Sequence, residues 1–376
     1  MDPQKKRCWA EISLANIEHN YHELRSRLPK DCRFLGVVKA NAYGHGAVKV
    51  AKRLEELGAD YLAVAYIDEA VELRKSGITL PILILGVTAP EYTAELIKYS
   101  VTQAVASSEL ALAYAREAEA CGAALRCHLK LDSGMGRTGF KTAASSEAAA
   151  ILGAPNLDFE GVFTHFAVSD APGSEAREYT DRQYGGFMEA VRGLENAWGR
   201  KFKIVHCTNS GAMLNYPQTY GDMVRPGILL YGHYPDRKHG EVSLRPAMSL
   251  KTRIVQIKEF APGESVSYGR IWIAQQPSRI AVLSIGYADG LSRNLSGRAE
   301  FLLHGKRIRQ VGRICMDMCM ADITGVDEAS VGDEVLIFGQ DADGGIPIEE
   351  HCEKLGTISY ELLCDVAARV PRVYTN

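Results

Sequence analysis

Residues 34–65 read FLGVVKANAYGHGAVKVAKRLEELGADYLAVA, which predicts a strand, a helix and a second strand in succession. The apolar runs at the two ends are short enough for buried strands, whereas the middle repeats its apolar residues at helical spacing. The first run ends on an ionisable side chain, Lys39, and a turn rich in glycine and histidine follows. A strand–helix–strand unit of this kind is typical of a parallel sheet.

The same alternation continues to about residue 230. Eight strand runs, each followed by a helical stretch or by the exit from the module, favour a (β/α)8 TIM-type barrel. A doubly wound sheet of about six strands stays open if two of the runs are not strands. The eight runs are FLGVV at 34, YLAVA at 61, ILIL at 82, VTQAV at 101, LRCHLKL at 125, FEGVFTHF at 159, KIVHC at 203 and RPGILLYG at 225.

The pattern changes after residue 240, where strand-like runs with turn signals between them dominate. We therefore expect an α/β protein in which the barrel, residues 15–240, is followed by a mainly β C-terminal domain, residues 241–376. Residues 1–14 contain CWAEISL, which predicts an N-terminal strand that joins the β domain. Ser13 is placed to cap the helix that follows it.

The composition excludes several classes of protein. The 376 residues include 43 basic and 46 acidic residues without a long block of one charge, so no nucleic-acid partner is expected. No apolar stretch reaches about 18 residues and the N-terminus lacks the apolar core of a signal peptide, which predicts a cytoplasmic protein without membrane contact. The nine cysteines are odd in number and scattered, as reduced thiols are. Cys315 and Cys319 lie in a strand-like run without a second ligand pair, so no metal is expected.

Chemistry in such a barrel takes place at the carboxyl ends of the strands, and Lys39 lies at the end of the first. An amine held against apolar walls loses the hydration of its charged form, so its pKa falls and it becomes the nucleophile that a Schiff base requires. A lysine at a strand end more often extends to solvent. The residues at the other strand ends favour the Schiff-base interpretation of Lys39 over a solvent-exposed lysine.

Polar side chains follow the sixth, seventh and eighth runs. His165 ends the sixth, Ser210 follows the seventh, and Arg225 and Gly227 stand at the eighth. Barrels often bind phosphate with the loops after strands seven and eight, where a hydroxyl and close backbone amides suit an anion. A lysine at strand one and a phosphate cradle at strands seven and eight together predict a pyridoxal phosphate site.

The segment GMGRTG, residues 134–139, matches the dinucleotide-binding pattern G-x-G-x-x-G. We interpret it as a glycine-rich turn, because the next helical stretch starts only after the motif and Lys130 and Asp132 end the strand before it. Arg137 and Lys130 either form a polar cluster or are solvated, and spacing alone leaves both readings open.

Nine longer motifs carry a family resemblance. The sequence resembles the bacterial alanine racemases over almost its whole length, and the matching pieces occur in family order. They are VVKANAYGHG, HLKLDSGMGRTGF, FTHFA, TNSGA, MVRPGILLYG, SVSYGR, GYADG, VGRICMDM and TISYELLC.

The resemblance implies a pyridoxal phosphate-dependent isomerase that interconverts L- and D-alanine and supplies D-alanine for peptidoglycan. It implies a head-to-tail homodimer with shared active sites, in which Lys39 holds the cofactor and acts as one base while Tyr268 of the other subunit is the second. Lys130 matches a position that is carbamylated in some members. The resemblance assigns cofactor contacts to Tyr43, His165, Ser210, Arg225, Gly227, Ile228 and Tyr360, and substrate contacts to Arg137, Met316, Tyr287 and Asp317.

Three other functions compete with this one. A serine racemase shares the catalytic core, and the tyrosine at position 360 favours alanine. A pyridoxal phosphate carrier resembles the barrel alone and has no use for Tyr268. Decarboxylases with a related barrel place an acidic residue where Arg225 stands.

Overall fold

The computed structural model describes residues 6–235 and 242–376, and the chain divides into two compact units. The barrel unit comprises Glu18–Ala42 and Ala47–Leu244. The β unit comprises the described parts of Met1–Ile17, Tyr43–Gly46 and Arg245–Asn376. The chain begins with strand β1, Cys8–Ser13, and helix α1, Leu14–Arg25. Ser13 caps this helix as expected, since its Oγ accepts the Asn16 N–H at 3.1 Å.

The barrel unit contains eight parallel strands, each hydrogen-bonded to the next along the ring. The ring closes because the Asp222 N–H donates to the Val205 carbonyl at 3.1 Å and the Arg225 N–H donates to the Thr208 carbonyl at 2.9 Å. The predicted TIM-type barrel is therefore confirmed. Its strands are β2 Arg33–Val37, β3 Tyr61–Val64, β4 Ile82–Ile84, β5 Val101–Val105, β6 Leu125–Asp132, β8 Leu157–Phe163, β9 Ile204–His206 and β10 Met223–Val224, with the short β7 Phe140–Lys141 paired to β6.

Helices follow the barrel strands and bury one face each. In α6 the apolar side chains of Ala111, Tyr114 and Ala118 recur every three or four residues and are fully buried. Ser107 caps α6 through a side-chain oxygen that accepts the Leu110 N–H at 3.3 Å. The elements are α2 Lys39–Tyr43, a single left-handed turn, and α3 Ala47–Glu56, α4 Ile67–Lys75, α5 Thr93–Lys98, α6 Ser108–Ala120, α7 Ser145–Ile151, α8 Ser174–Trp198 and α9 Ser210–Asn215.

The eighth strand differs from its prediction. The run RPGILLYG at 225 is not extended; the strand is Met223–Val224 just before it, and Ile228–Tyr231 forms a 3-10 turn. Leu229, Leu230 and Tyr231 are fully buried in that turn. A short continuous apolar run does not distinguish a strand from a buried helical turn, which is why the pattern misled.

The β unit is built on a nine-stranded sheet in the order β19-β18-β15-β16-β17-β14-β11-β1-β20. Neighbours are antiparallel except β1 and β20, and β11 also pairs with β18, which closes six of the strands into a ring. This confirms the mainly β C-terminal half. Its elements are β11 Met248–Phe260, β12 Ser265–Val266, β13 Trp272–Ile273, β14 Ser278–Leu283, β15 Glu300–Leu303, β16 Lys306–Val311, β17 Cys319–Asp322, β18 Glu334–Asp341, β19 Gly344–Ile346, α10 Ile348–Leu355, α11 Ser359–Asp365 and β20 Arg372–Thr375.

Strand β1 lies between β11 and β20, with Ala10 opposite Leu250 and Ile12 opposite Tyr374. Trp9, Ala10 and Ile12 are buried there. Within the two described stretches of chain, no helix is both long enough and apolar enough to cross a bilayer.

Candidate active site

Lys39 stands where the first barrel strand gives way to an unusual turn. The four residues after it, Ala40 to Tyr43, all have positive φ angles between 51° and 54°. Such a left-handed turn costs roughly 1–2 kcal/mol for each residue that is not glycine. It is held by the Asn41 side-chain oxygen, which accepts the Ala47 N–H at 2.8 Å, and by the Ala42 N–H, which donates to the Val38 carbonyl at 2.9 Å. Lys39 itself is half-buried.

Four basic side chains act electrostatically on His165 at this end of the barrel. Burial lowers the pKa of His165 well below its usual value, and the charges of Arg225, Lys130, Arg137 and Lys39 lower it further, in that order. His165 is therefore neutral near neutral pH. The barrel thus brings together these five predicted site residues around a region of positive potential that suits an anionic ligand.

Arg225 is held rigidly at the end of the eighth strand. Its guanidinium donates to the Thr164 carbonyl at 2.8 Å, to the Cys207 carbonyl at 3.1 Å and to His206 Nδ1 at 2.9 Å. His165 Nδ1 lies 3.4 Å from the same group. Burial lowers the pKa of Arg225 to about 10, so the group still carries its charge at neutral pH.

Lys130 is buried without a carboxylate bound to its amine. Its Nζ lies 4.4 Å from the centroid of the Phe163 ring, and no hydrogen bond to it is found within residues 6–235 and 242–376. Burial lowers the pKa of Lys130 well below its usual value, and the charges of Arg225 and Arg137 act in the same direction. Both effects favour the uncharged, nucleophilic form of the amine.

The glycine-rich segment after Lys130 is a turn folded around one carboxylate. Asp132 Oδ1 accepts the N–H groups of Gly134, Met135 and Gly136 at 2.9, 2.8 and 3.1 Å. β7 and a 3-10 turn come next, and helix α7 starts only at Ser145. The segment does not open a helix as a dinucleotide fingerprint must, which confirms its interpretation as a turn. Arg137 lies in it with its side chain exposed.

The loops after the seventh and eighth strands contact each other through Ser210 and Gly227. The Gly227 N–H donates to Ser210 Oγ at 2.9 Å, and both Ser210 and Ile228 are buried. Asn209 caps α9 by accepting the Ala212 N–H at 2.9 Å. The three phosphate-binding candidates of the barrel unit therefore lie on two adjoining loops, as a phosphate cradle requires.

Two further candidates lie together in the β unit. The rings of Tyr43 and Tyr360 have centroids 5.9 Å apart. Tyr43 is buried, which raises its pKa. Gly44 and Gly46 are needed beside it, because a Cβ at Gly44 would lie 2.2 Å from the Leu363 carbonyl oxygen and one at Gly46 1.8 Å from the Tyr374 hydroxyl oxygen.

Three of the remaining candidates line a cleft of about 700 Å³ in the β unit, and the fourth, Tyr287, is bonded to one of its loops. Tyr268, Met316 and Asp317 contribute to its walls, and the Tyr268 side chain is 71% exposed. Tyr287 is bound to the same loop, because its N–H donates to the Cys315 carbonyl at 3.0 Å. The cleft thus gathers a phenol, a thioether and a carboxylate on one exposed face.

Several residues of these sites escaped the sequence analysis. His206 bonds Arg225 directly, and Asp289, buried in the motif GYADG, accepts hydrogen bonds from Arg7 and Arg369. A polar side chain at an inward position of a buried strand was the available signal for His206. Nothing local to the sequence connects Asp289 with Arg7, which lies 282 residues away.

These features define a class of enzyme: a parallel barrel that collects cations around an anion site at its strand ends, followed in the chain by an antiparallel β unit. Comparison with known proteins identifies the family. The model of the alanine racemase N-terminal domain matches residues 12–235, and that of the alanine racemase C-terminal domain matches residues 247–374. The chain belongs to the alanine racemase family.

Individual relatives agree along the full length. An alanine racemase of Desulforamulus reducens is 44% identical over 374 residues, covering 98% of this chain and 99% of that protein. The alanine racemase structure from Clostridium difficile 630 is 41% identical, with a TM-score of 0.93 and coverage of 99% and 96%. The structure from Bacillus anthracis with bound L-Ala-P is 36% identical, with a TM-score of 0.93 and coverage of 100% and 96%.

Proposed function

We propose that this protein interconverts L-alanine and D-alanine with pyridoxal 5'-phosphate as cofactor. The observation that carries the proposal is the group of four basic side chains that act electrostatically on His165, with Arg225 fixed among them by buried acceptors. The family supports it, as does the L-Ala-P bound in the Bacillus anthracis relative. The cofactor, when bound, withdraws electrons from the Cα of an amino acid joined to it, which makes the Cα proton acidic.

Residues of the barrel unit suit both the aldehyde end and the phosphate end of this cofactor. Lys39 would hold it covalently through its amine. Ser210, Gly227 and Ile228 would bind its phosphate. We propose the same role for Tyr43 and Tyr360. Arg225 would face the ring nitrogen, and His165 would neighbour Arg225 as a neutral ring.

The positive charge of Arg225 would determine the protonation state of the cofactor's ring nitrogen. A guanidinium that stays protonated can only donate hydrogen bonds, so the ring nitrogen opposite it must accept and remain unprotonated. An unprotonated ring withdraws electrons less strongly. Arg225 thereby limits side reactions such as transamination and favours return of a proton to Cα.

Racemisation needs one group to take a proton from Cα on one face and another to deliver a proton on the opposite face. We assign these roles to Lys39 and to Tyr268 of a second subunit. The exposure of Tyr268 at 71% suits a residue that completes the site of a partner. The homodimer with shared active sites is part of the proposal.

The substrate carboxylate needs cationic and polar partners. We assign it to Arg137 and the backbone of Met316, with Tyr287 and Asp317 at the entrance. Lys130 lies close enough to Arg137 for their charges to interact. Addition of carbon dioxide to the uncharged form of the Lys130 amine, with loss of a proton, would give a carbamate whose negative charge attracts and orients Arg137 in place of this repulsion.

In the cell, we place this activity in the cytoplasm, as a supply of D-alanine for peptidoglycan. Alanine rather than serine is the preferred substrate, a choice supported by Tyr360 and by the relatives named above.

The function is tested by incubating the purified protein and cofactor with L-alanine and measuring D-alanine by chiral chromatography. We expect D-alanine with the natural chain and none with Lys39→Ala, whereas Lys75→Ala, which changes an exposed lysine of α4, should be active. Absence of D-alanine from cofactor-loaded protein would contradict the proposal. Parallel reactions with L-serine should proceed with a lower kcat/KM.

The shared site is tested by mixing two inactive proteins, Lys39→Ala and Tyr268→Ala, under subunit exchange. Heterodimers would contain one site with both natural residues, so activity should reappear. Each variant alone serves as the control. No recovery despite exchange shown by mass spectrometry would contradict the assignment of Tyr268 to the partner's site.

A further inference from the structure

A chain of polar side chains crosses the interior of the barrel from Arg225 toward the amino ends of the strands. Arg225 Nη1 lies 2.9 Å from His206 Nδ1, and His206 Nε2 lies 2.9 Å from His128 Nδ1. His128 Nε2 lies 3.5 Å from Glu160 Oε1, and the Tyr61 hydroxyl donates to the same oxygen at 2.9 Å. All five residues belong to the barrel unit.

Hydrogen-bond chemistry gives this chain one direction. Arg225 can only donate, so His206 Nδ1 must accept and a neutral His206 carries its proton on Nε2. That proton is donated to His128 Nδ1, so a neutral His128 carries its own proton on Nε2, facing the Glu160 carboxylate. The opposite order would set an N–H of His206 against an N–H of Arg225.

Both imidazoles are neutral because of their burial. Their side chains are fully buried, which lowers the pKa of His128 and lowers that of His206 well below its usual value. Burial opposes ionisation of Glu160, but the neighbouring His128 Nε2, 3.5 Å away and outside hydrogen-bond geometry, and the hydrogen bond from the Tyr61 hydroxyl outweigh burial and lower the pKa of that carboxyl. The chain therefore ends on a carboxylate at neutral pH.

Both rings are closely packed. The His206 ring stacks on Phe163, with centroids 4.9 Å apart and planes at 10°. A Cβ at Gly161 would lie 2.6 Å from His128 Cε1, so the absence of a side chain at Gly161 makes room for the His128 ring. In these positions His206 Nδ1 faces Arg225 and His128 Nδ1 faces His206.

We propose that Glu160 is a positioning residue that fixes His128 and His206 in the Nε2–H tautomer and thereby aims Arg225 at the ring nitrogen of the cofactor. The orientation of Arg225 toward the cofactor rests on the proposed function, whereas the assignment of the two tautomers does not. The carboxylate acts through two imidazoles on a group that it does not touch.

The test is ¹⁵N NMR of histidine side chains in the purified full-length protein, assigned by single His→Gln substitutions. We expect both rings with the proton on Nε2. In Glu160→Gln the amide can donate to His128 Nε2, which favours the Nδ1–H tautomer of both rings. That tautomer sets an N–H of His206 against Arg225, so the change should also break the Arg225–His206 hydrogen bond. The matched control is Tyr61→Phe, which removes the other hydrogen bond to Glu160 but leaves the carboxylate, and its tautomers should stay unchanged.

A second readout follows the cofactor. Glu160→Gln should weaken cofactor binding by about tenfold or more, as expected for a lost hydrogen bond to a charged group, and should raise the ratio of transamination to racemisation. Tyr61→Phe should leave both values close to those of the natural protein. A change of tautomer without either effect would overturn the link to Arg225.

The tautomers decide the proposal even if Glu160→Gln does not fold. A proton on Nδ1 of His206 in the natural protein, or two protons on either ring, would overturn it. Unchanged tautomers in a folded Glu160→Gln protein would also overturn it. These results are independent of D-alanine production, so a failure of the proposed function is recognised separately.

Discussion

Asp289 is the centre of a buried ion cluster in the β unit, and its replacement by asparagine gives a quantitative test. Its carboxylate is fully buried and accepts hydrogen bonds from Arg7 at 2.6 and 3.0 Å, from Arg369 at 2.7 Å and from the Gly286 N–H at 3.0 Å. Asp289→Asn keeps the shape of the side chain but removes the charge that these groups share.

The expected loss of stability in Asp289→Asn follows from the burial of the three charged side chains. Removing one partner of a buried ion pair costs about 3–5 kcal/mol when the other charge stays buried. The side chains of Arg7 and Arg369 are each 40% exposed, so both can regain water. We therefore expect Asp289→Asn to lower the free energy of unfolding by about 2–3 kcal/mol. Asp317→Asn removes an exposed ion pair to Arg369 at 2.8 Å and should have a much smaller effect.

The lowered pKa of Asp289 predicts how the stability difference between Asp289→Asn and the natural protein changes with pH. Burial opposes ionisation of Asp289, but the hydrogen bonds from Arg7 and Arg369 outweigh it and lower its pKa below that of the unfolded chain. Its contribution is therefore present above about pH 4 and lost as the pH falls through the folded-state pKa. Urea unfolding followed by circular dichroism should show a constant difference from natural protein between about pH 5 and 8 and a shrinking one below about pH 4. Equal midpoints at pH 7, or a difference that grows in acid, would refute this reasoning.

Three further predictions concern other parts of the chain. Gly139→Ala should lower the free energy of unfolding by about 2 kcal/mol or more, because Gly139 has a φ of +120° and a Cβ there would lie 2.9 Å from three backbone atoms. Gly136→Ala is the control, since Gly136 has a φ of +71° and a Cβ there would meet no atom within 4 Å. Thermal melts of the two variants should show the smaller loss for Gly136→Ala. Phe187→Ala, in the fully buried face of α8, should cost about 3–5 kcal/mol in urea unfolding, and a loss below about 1 kcal/mol would contradict its place in the core. Thiol titration with Ellman's reagent should show a fast phase from the exposed Cys121 and Cys364, which Cys121→Ser reduces, while the buried cysteines react only on unfolding.

The fold was largely predictable because its signals are local. The apolar runs of the barrel strands alternate with helical spacing, and seven of the eight runs overlap strands of the structure. The eighth failed because the same apolar residues serve in a buried 3-10 turn after Arg225. Sequence periodicity indicates which residues are buried and how they are spaced. Whether such a run forms a strand or a turn depends on the backbone groups, distant in sequence, with which it forms hydrogen bonds.

The site was predictable only where a motif marked it. The positions of Lys39, Arg225 and Tyr268 follow from strand ends and family motifs, but the left-handed turn after Lys39 has no glycine in its first four residues to announce it. The order of protons through His206 and His128 depends on a carboxylate in a different strand. Such arrangements result from three-dimensional contacts that no window of sequence contains.

The position of β1 between β11 and β20 has a consequence for synthesis of the chain. Residues 8–13 leave the ribosome long before their partners at residues 248–252 and 372–375. At about 5–20 residues per second, the strand waits roughly 20–70 s for its last partner. During that time Trp9 and Ile12, both buried in the folded unit, are exposed on an unpaired strand that can join another nascent chain. The β unit can therefore complete its sheet only after residues 372–375 have been synthesised, and cover of residues 8–13 by a chaperone should raise the yield of folded protein.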